Sequence, residues 1–363
     1  MDFGFLAVPI YMALIAFGFA VFTDTQTVNI EYVDVPESIA AETGYTSPVL
    51  VTRLADEMQL IAKKASTKAE VRQVELHEEK KPVAVLSEFV GLTPLVRVVQ
   101  ESVSLTPFTF SGEIVIHGDD LEMKLRGYDS HHRQFQIVKT AHHDQVPELV
   151  RGAAYEAMRV VNPYVLAAYQ FKRDRLTRDF TPTLEIIQRE LDHHDTEYSK
   201  WMLNLWGMVL YQQSDRRGAI EKFREAYAID KDFLSPLLNW GVVEAREGNH
   251  SHAIELFKAV TSNKAAAAKN TAAAAAAYSE WGFSLALIGK YDDAFSKFET
   301  AAVTDGTFAD VYSSWAEVLS ALGRKEDASR MTARALALAP TEVVYTENLI
   351  GAVQSLPAAA TTE

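Results

Sequence analysis

The sequence predicts a mainly α-helical protein with three parts: an N-terminal transmembrane helix, a small α+β domain, and an α-solenoid of four repeats. Three observations lead to this fold class. An uncharged apolar run at residues 3–22 opens the chain. Segments in which apolar and polar residues alternate, as in half-buried strands, follow it. In the second half, tryptophans recur at near-constant spacing, which indicates a repeat architecture.

Composition and charge exclude several classes of protein. The 363 residues leave room for roughly two or three domains of ordinary size. Asp and Glu total 49 against 35 Lys and Arg, and the resulting net charge of −14 argues against a nucleic-acid binder, which needs a basic surface. Cysteine is absent, which excludes disulfides, thiolate metal sites and thiol nucleophiles.

Residues 1–23 are predicted to form a membrane anchor. Residues 3–22 contain no charged side chain, and about 20 apolar residues at ~1.5 Å each span the ~30 Å hydrocarbon core of a bilayer. The alternative is a cleaved signal peptide, which needs a basic segment before its apolar core. No Lys or Arg precedes Arg53, so the retained helix is favoured.

The flank that follows the anchor sets the predicted orientation. It is acidic and carries no basic residue that would hold it in the cytoplasm. The acidic residues are Asp24, Glu31, Asp34, Glu37 and Glu42. We therefore expect a single-pass protein of a bacterial inner membrane, with the bulk of the chain in the periplasm.

Residues 24–161 are predicted to form an α+β domain next to the membrane. The predicted strands are residues 27–35, 83–89, 108–117, 121–128 and 135–139. The predicted helices are residues 49–65, 93–103 and 145–161. The Gly-Asp-Asp sequence at 118–120 is typical of a tight turn. Because this region contains no phosphate loop, nucleophile elbow or HExxH motif, no enzymatic activity is predicted.

The C-terminal half carries four repeats that can be aligned on tryptophan. Trp206, Trp240, Trp281 and Trp315 are 34, 41 and 34 residues apart. Glycine follows the first three tryptophans directly, and Ala316 follows the fourth. Eight residues after the last three tryptophans, where a turn is expected, stand Gly248, Gly289 and Gly323. Thirteen residues after all four stand Ala219, Ala253, Ala294 and Ala328. Seventeen residues after the first three stand Phe223, Phe257 and Phe298, whereas the fourth repeat has Thr332.

This pattern resembles the tetratricopeptide repeat family over about residues 200–340. The resemblance implies stacked helix pairs, since small residues let the two helices of a pair cross closely. It also implies a curved surface whose inner helices hold a peptide or a partner protein. By that resemblance the groove residues are Trp201, Asn204, Met208, Tyr211, Leu238, Val242, Arg246 and Phe283. The alternative is that several of them simply pack against the helix pair before the array, as large apolar residues usually do.

The segments around and within the array are also predicted to be helical. Residues 162–199 form a helical connector between the two halves. The second and third repeats are separated by seven extra residues within the alanine-rich stretch 264–277, which predicts a lengthened helix or a helix–helix connection. Residues 341–363 are predicted to form a capping helix and tail, because the end of a solenoid exposes an apolar face.

Histidine occurs in three adjacent pairs, at 131–132, 142–143 and 193–194. Imidazole and carboxylate groups together can bind zinc. Adjacent residues on a helix point about 100° apart, however, and the usual ligand spacings are missing. Neither a metal site nor a cofactor is predicted.

The predicted function is a membrane-anchored scaffold or assembly factor that holds a protein or peptide partner. The negative net charge favours basic partners, and no nucleic-acid partner is expected. The alternative is a permanent structural subunit of a larger membrane complex, in which the array is a spacer. The two differ in behaviour, because a subunit stays with one stoichiometric partner in mild detergent whereas an adaptor binds transiently.

Overall fold

A computed structural model describes residues 27–65, 73–75, 108–128, 133–192 and 196–338. The predicted membrane anchor, strand 83–89, helix 93–103 and capping helix lie outside these residues. Within the described ranges, no helix is both long enough and apolar enough to cross a membrane. The chain divides into two compact units, Met1–Ile186 and Ile187–Glu363, and the division falls inside the connector predicted at 162–199.

The first part of the chain combines strands and helices. The strands are β1 (Thr27–Asp34), β2 (Gln73–Glu75), β3 (Phe108–His117), β4 (Asp120–Tyr128) and β5 (Gln134–His142). The helices are α1 (Glu37–Thr43), α2 (Ser47–Ala65), α3 (Val146–Val161), α4 (Pro163–Thr177) and α5 (Thr181–Asp192). The strands and helices predicted within the described residues of this region are therefore confirmed.

The described strands form one five-stranded sheet in the order β2-β1-β3-β4-β5. β1 pairs in parallel with β2 and β3, while β3, β4 and β5 form an antiparallel meander. One face of the sheet is buried beneath α2 and α3, which also contact each other. The buried strand residues include Ile30, Phe110, Ile114, Met123 and Leu125. Their alternation along the strands follows from the pleat, which points successive side chains to opposite faces.

A bulge in β1 decides which side chain of its second half faces the core. Alternation from Val28 through Ile30 would bury Tyr32, but the register against β3 shifts between Ile30 and Tyr32. Val33 is consequently buried, whereas Tyr32 is 47% exposed. One extra residue in a strand moves every later side chain to the other face, because the side-chain period is two.

A buried polar network joins α4 to the start of α5. The Asp174 carboxylate accepts hydrogen bonds from Gln170 Nε2 at 2.6 Å and from the backbone N and Oγ1 of Thr183 at 3.0 and 2.5 Å. The Tyr155 hydroxyl donates to Gln170 Oε1 at 3.1 Å. Because Thr183 lies in the first turn of α5, the carboxylate satisfies a backbone N–H that the helix itself leaves unpaired.

Residues 196–338 form four helix pairs and one extra short helix. The pairs are α6 (Thr196–Gln212) with α7 (Arg216–Ile229), α8 (Leu234–Arg246) with α9 (His250–Ser262), α11 (Thr271–Leu287) with α12 (Tyr291–Thr304), and α13 (Ala309–Ala321) with α14 (Lys325–Leu338). The short helix α10 (Lys264–Lys269) lies between the second and third pairs. The recurring pairs confirm the helical repeat that the tryptophan spacing predicts.

The alanine-rich insertion forms two helices, with a break between them. The Asn263 side chain accepts a hydrogen bond from the backbone N of Ala266 at 3.2 Å, and Asn270 accepts one from Ala273 at 3.2 Å. Each asparagine therefore caps the N-terminus of a helix, which is the position that this side chain favours. The cap at Asn270 separates α10 from α11, so that the seven extra residues leave the third pair with the same layout as the others.

In three of the pairs, a glycine on the first helix lies against a phenylalanine on the second helix. A Cβ atom at Gly241 would lie 2.6 Å from the ring of Phe257. The equivalent pairs are Gly207 with Phe223 and Gly282 with Phe298. In the fourth pair, Ala316 and Thr332 occupy these positions. The fourth pair therefore lacks the glycine–phenylalanine contact, and Thr332 is exposed where the other pairs bury a phenylalanine.

The tryptophans of the repeats are half-buried, and the first three lie against cations of second helices. Lys222 Nζ is 4.6 Å from the ring centroid of Trp206, and Lys297 Nζ is 4.3 Å from that of Trp281. Each lysine follows its tryptophan by sixteen residues, so the same repeat geometry places both. An aliphatic residue at this position would lack the π face that attracts an ammonium group.

The turn within the first pair uses a serine where the later pairs use glycine. Gly248, Gly289 and Gly323 have φ values of +83°, +77° and +75°. Ser214 stands at the same offset and has a φ of 66°. This left-handed conformation costs an L-residue with a Cβ atom about 1–2 kcal/mol.

We expect Ser214→Gly to raise the free energy of unfolding by about 0.5–1 kcal/mol, because glycine adopts this backbone conformation without a steric cost. The reciprocal variant Gly248→Ser should lower it by a similar amount. Urea unfolding followed by tryptophan fluorescence measures both. A Ser214→Gly variant that is less stable than the wild type would contradict the assignment of strain to this turn.

The glycine–phenylalanine contact gives a second prediction. Gly241→Ala should lower the free energy of unfolding by about 2–3 kcal/mol, because the new methyl group would overlap the Phe257 ring. Gly152→Ala in α3 is the matched control, since a Cβ there would be 3.7 Å from its nearest neighbour. The control should stabilise its helix by about 0.5–1 kcal/mol. Equal effects of the two substitutions in urea unfolding would show that the contact is not a constraint.

Candidate functional site

The first helices α6, α8, α11 and α13 contact one another in succession along the array. We call the surface that they share the first-helix face. All eight of the predicted groove residues lie on α6, α8 and α11. The structure places them in four different environments.

Two of the predicted groove residues join the first two repeats. The ring of Trp201 lies 4.2 Å, centroid to centroid, from the ring of Phe233, which precedes α8. The Asn204 side chain, 6% exposed, accepts a hydrogen bond from Asn239 Nδ2 at 3.0 Å. Because both side chains are engaged with the next repeat, they hold α6 against α8 and offer little surface to a ligand.

Four other predicted groove residues are partly exposed. Met208 and Tyr211 pack against the buried cluster around Phe223. Leu238 and Val242 pack against the next cluster, which is built around Phe257. Each therefore combines an apolar base inside the array with a surface that solvent reaches. This arrangement is typical of the central contacts of protein interfaces.

Phe283 is buried in the array. It is 2% exposed and belongs to a core cluster with Phe298 and Val318. Its ring joins the third repeat to the fourth, since Val318 lies on α13. The accessible part of the first-helix face in this region is formed by charged residues next to Phe283.

Three charged side chains meet where α8, α11 and α13 come together. Arg246 Nη2 lies 3.6 Å from Glu280 Oε1, and its guanidinium is 5.9 Å from the ring centroid of Phe283. The Arg246 and Glu280 side chains keep 19% and 23% of their exposure. Both carboxylate oxygens of Glu317 are buried and have no hydrogen-bond partner among the described residues. We call Arg246, Glu280 and Glu317 the ion cluster.

Burial dominates the electrostatics of the ion cluster. Loss of hydration raises the pKa of Glu317 to about 7, the charge of Arg246 opposes this rise, and the charge of Glu280 adds to it. On the other side of Arg246, His250 begins α9, and its buried Nδ1 has no partner within the described chain. Burial and the charge of Arg246 both lower the pKa of His250, so this histidine is neutral at neutral pH. The cluster therefore holds one permanent cation and two carboxylates.

Sequence reasoning identified Arg246 but missed Glu280 and Glu317. The available signal was the repeat register, because Glu317 stands two residues after Trp315. Its equivalents are Met208, Val242 and Phe283, each two residues after its own tryptophan. Extending that register to the fourth repeat points to Glu317, the one charged residue in the set. Its burial and its lack of a partner depend on three helices and could not be read from one repeat.

The histidine pair at 142–143 lies at the end of β5, and the other two pairs lie outside the described residues. His142 Nδ1 is 2.8 Å from Asp144 Oδ1, and this contact raises the pKa of His142. His143 Nδ1 is 3.3 Å from the backbone oxygen of Asp119. In the part of the chain that the structure describes, no group of three or more histidine or acidic side chains could hold a metal ion.

No protein-family model matches the chain, and no curated protein sequence matches it. Solved structures similar to it include the crystal structure of MamA, with a TM-score of 0.35 and 19% identity over 48% of this chain and 97% of that one. A MamA RS-1 ArsTM double mutant has a TM-score of 0.35 and 14% identity over 51% of this chain and 98% of that one. The description of the helical repeat therefore rests on the helix pairs of this chain.

The raised pKa of Glu317 makes stability depend on pH. Since this pKa of about 7 lies above the ordinary value of 4.5, the folded chain keeps a proton that the unfolded chain releases. Stability should therefore fall as the pH rises from about 4.5 to about 7. Glu317→Gln removes the ionisable group. We expect it to raise the free energy of unfolding at about pH 8 by about 1–2 kcal/mol, less than the full linkage value because solvent screens a partly exposed residue.

The same variant should gain nothing at about pH 4, where Glu317 is protonated in both states. Glu299→Gln, at an exposed position on α12, is the matched control and should show no such pH-dependent gain. Urea unfolding across this pH range measures both variants. A gain that does not change with pH would assign the effect to packing.

Proposed function

We propose that this chain is a membrane-anchored scaffold or assembly factor that binds another protein through the first-helix face of a tetratricopeptide-like array. The observation that carries the proposal is the first-helix face itself. Successive first helices present partly exposed large side chains beside an ion cluster, on a support of buried glycine–phenylalanine contacts. Apolar anchors next to a few charged groups are what a protein interface requires.

Membrane anchoring is part of the proposal and rests on the sequence. Residues 3–22 are long enough and apolar enough to span a bilayer. The acidic flank that follows favours a location outside the cytoplasm, with the bulk of the chain in a bacterial periplasm. The array would then hold its partner beside the membrane. We further propose that the chain has no enzymatic activity, in keeping with the lack of catalytic motifs in its sequence.

The partner is expected to carry basic groups. The chain has a net charge of −14, so basic proteins approach it faster and are oriented by its field. Most of the affinity would come from the apolar contacts, because exposed charges contribute little affinity of their own.

A mild-detergent pull-down of the full-length chain from its native membrane tests the proposal. We expect partners in less than stoichiometric amounts, which salt removes. The variant Tyr211→Ala should reduce their recovery by about tenfold or more, as the loss of an interface anchor does. Val303→Ala, 88% exposed on the second helix α12, should leave recovery unchanged. Urea unfolding of both variants separates lost binding from lost folding.

Two outcomes would overturn the scaffold proposal. One stoichiometric membrane partner that survives salt, whatever the state of the first-helix face, would identify a resident structural subunit. Equal recovery of partners by the Tyr211→Ala and Val303→Ala variants would show that partners bind outside the first-helix face. Retention of the chain in the membrane fraction after alkaline washing, and its release when residues 3–22 are deleted, tests the anchor separately.

A further inference from the structure

The unpartnered carboxylate of Glu317 requires an explanation. Buried polar side chains almost always have hydrogen-bond partners, because an unpaired buried carboxylate loses its hydration without compensation. Arg246 and Glu280 are the charged groups that act on Glu317. Within the described residues, α12 and α14 also pack against α13, and neither contributes a charged group that acts on Glu317. Arg246 is therefore the one cation that acts on an ionised Glu317 within the described residues, and Arg246 is already paired with Glu280.

Arg246 is not fully committed to either carboxylate. Its contact with Glu280, at 3.6 Å, is an ion pair that is too long for a hydrogen bond. It makes no hydrogen bond to Glu317, although its charge favours the ionised form of that carboxylate. A guanidinium group has five donors and can bind a carboxylate through two of them. A movement of Arg246 toward Glu317 would therefore allow a pair of this kind to form.

We propose that the ion cluster receives one basic side chain of the bound partner, which pairs with Glu280 and releases Arg246 to pair with Glu317. This inference rests on the proposed function and names the chemistry that the first-helix face recognises. Glu280 is the accessible carboxylate, with 23% of its side chain exposed, so the incoming cation reaches it first. After the exchange, two cations neutralise two carboxylates. The Phe283 ring lies beneath the Arg246 guanidinium and supports it in its present position.

Ionisation of Glu317 is coupled to this exchange. In the free chain its pKa of about 7 leaves much of the group protonated at neutral pH. Pairing with Arg246 favours the charged form, so binding of the basic side chain releases a proton. By linkage, the affinity for the partner must rise as the pH rises through about 7. A partner that placed an acidic or neutral side chain at the ion cluster would bind without this dependence on pH.

The probe is a blocked heptapeptide with one central arginine between leucines, compared with its glutamine counterpart. Binding to the full-length chain is followed by fluorescence anisotropy at about pH 6 and about pH 8, below and above the pKa of about 7. At the higher pH, we expect the arginine peptide to bind about threefold to fivefold more tightly than the glutamine peptide, which is the size of a partly exposed ion pair. This preference for arginine should be smaller at the lower pH.

Three variants locate the effect. Glu280→Gln should abolish the preference for arginine at both pH values. Glu317→Gln should retain a preference but remove its dependence on pH. Glu299→Gln, on the exposed surface of α12, should retain both the preference and the pH dependence, which controls for the overall negative charge.

Equal affinity for the two peptides, a preference that Glu280→Gln leaves intact, or no measurable binding of either peptide would overturn the inference. The pull-down separates this failure from failure of the proposed function. Partners that are lost with Tyr211→Ala but kept with Glu280→Gln would leave the first-helix face as the binding surface and remove the ion cluster from it.

Discussion

The close approach of the two helices within each repeat is the constraint on which the array depends. It exists because a phenylalanine ring of the second helix lies where a Cβ of the first helix would stand, as at Gly241 and Phe257. Helices that approach this closely fix their separation and crossing through the side chains at the contact. The fourth pair departs from this arrangement, because Ala316 and Thr332 stand at the two positions and Thr332 is exposed. The glycine–phenylalanine contact is therefore a feature of the first three pairs.

This contact also decides what the first-helix face carries. The residue directly after each contact position points about 100° away from it around the helix, toward the neighbouring first helices. These residues are Met208, Val242, Phe283 and Glu317. One geometrical rule therefore produces apolar side chains in three repeats and a carboxylate in the last. The ion cluster forms because Arg246 and Glu280 extend toward that carboxylate from the two preceding first helices.

How far the sequence predicts this molecule depends on how local each feature is. The helix pairs follow from offsets within about 34 residues, and the meander follows from neighbouring alternating segments, so both were predictable. The parallel pairing of β1 with β3 was not, because it joins Val28 to Phe108 and no local pattern encodes so distant a register. The bulge that exposes Tyr32 could not be predicted either, because nothing in the alternating sequence pattern of β1 indicates it.

In the candidate site, too, local features were predictable from the sequence and features that depend on neighbouring repeats were not. The repeat register correctly placed all eight predicted residues on the first helices, yet it could not distinguish accessible from buried ones. Phe283 is buried and Asn204 is bonded to Asn239 because the next repeat covers them. A pattern within one repeat contains no information about how closely its neighbour packs. Glu317 needed three helices to acquire its environment, which is why its role appears only in the structure.

The identity of residue 317 is itself an argument about function. Three equivalent positions carry apolar side chains, so the repeat geometry accepts an apolar residue there. Replacing buried charges with well-packed apolar groups is often neutral or stabilising, whereas an unpaired buried carboxylate weakens the fold near neutral pH. A chain selected for stability alone would gain from an apolar residue at this position. Departures from packing rules that carry a cost in stability are concentrated at functional sites. In the proposed exchange, the carboxylate of Glu317 is therefore the partner that Arg246 takes when a basic side chain from outside the array pairs with Glu280.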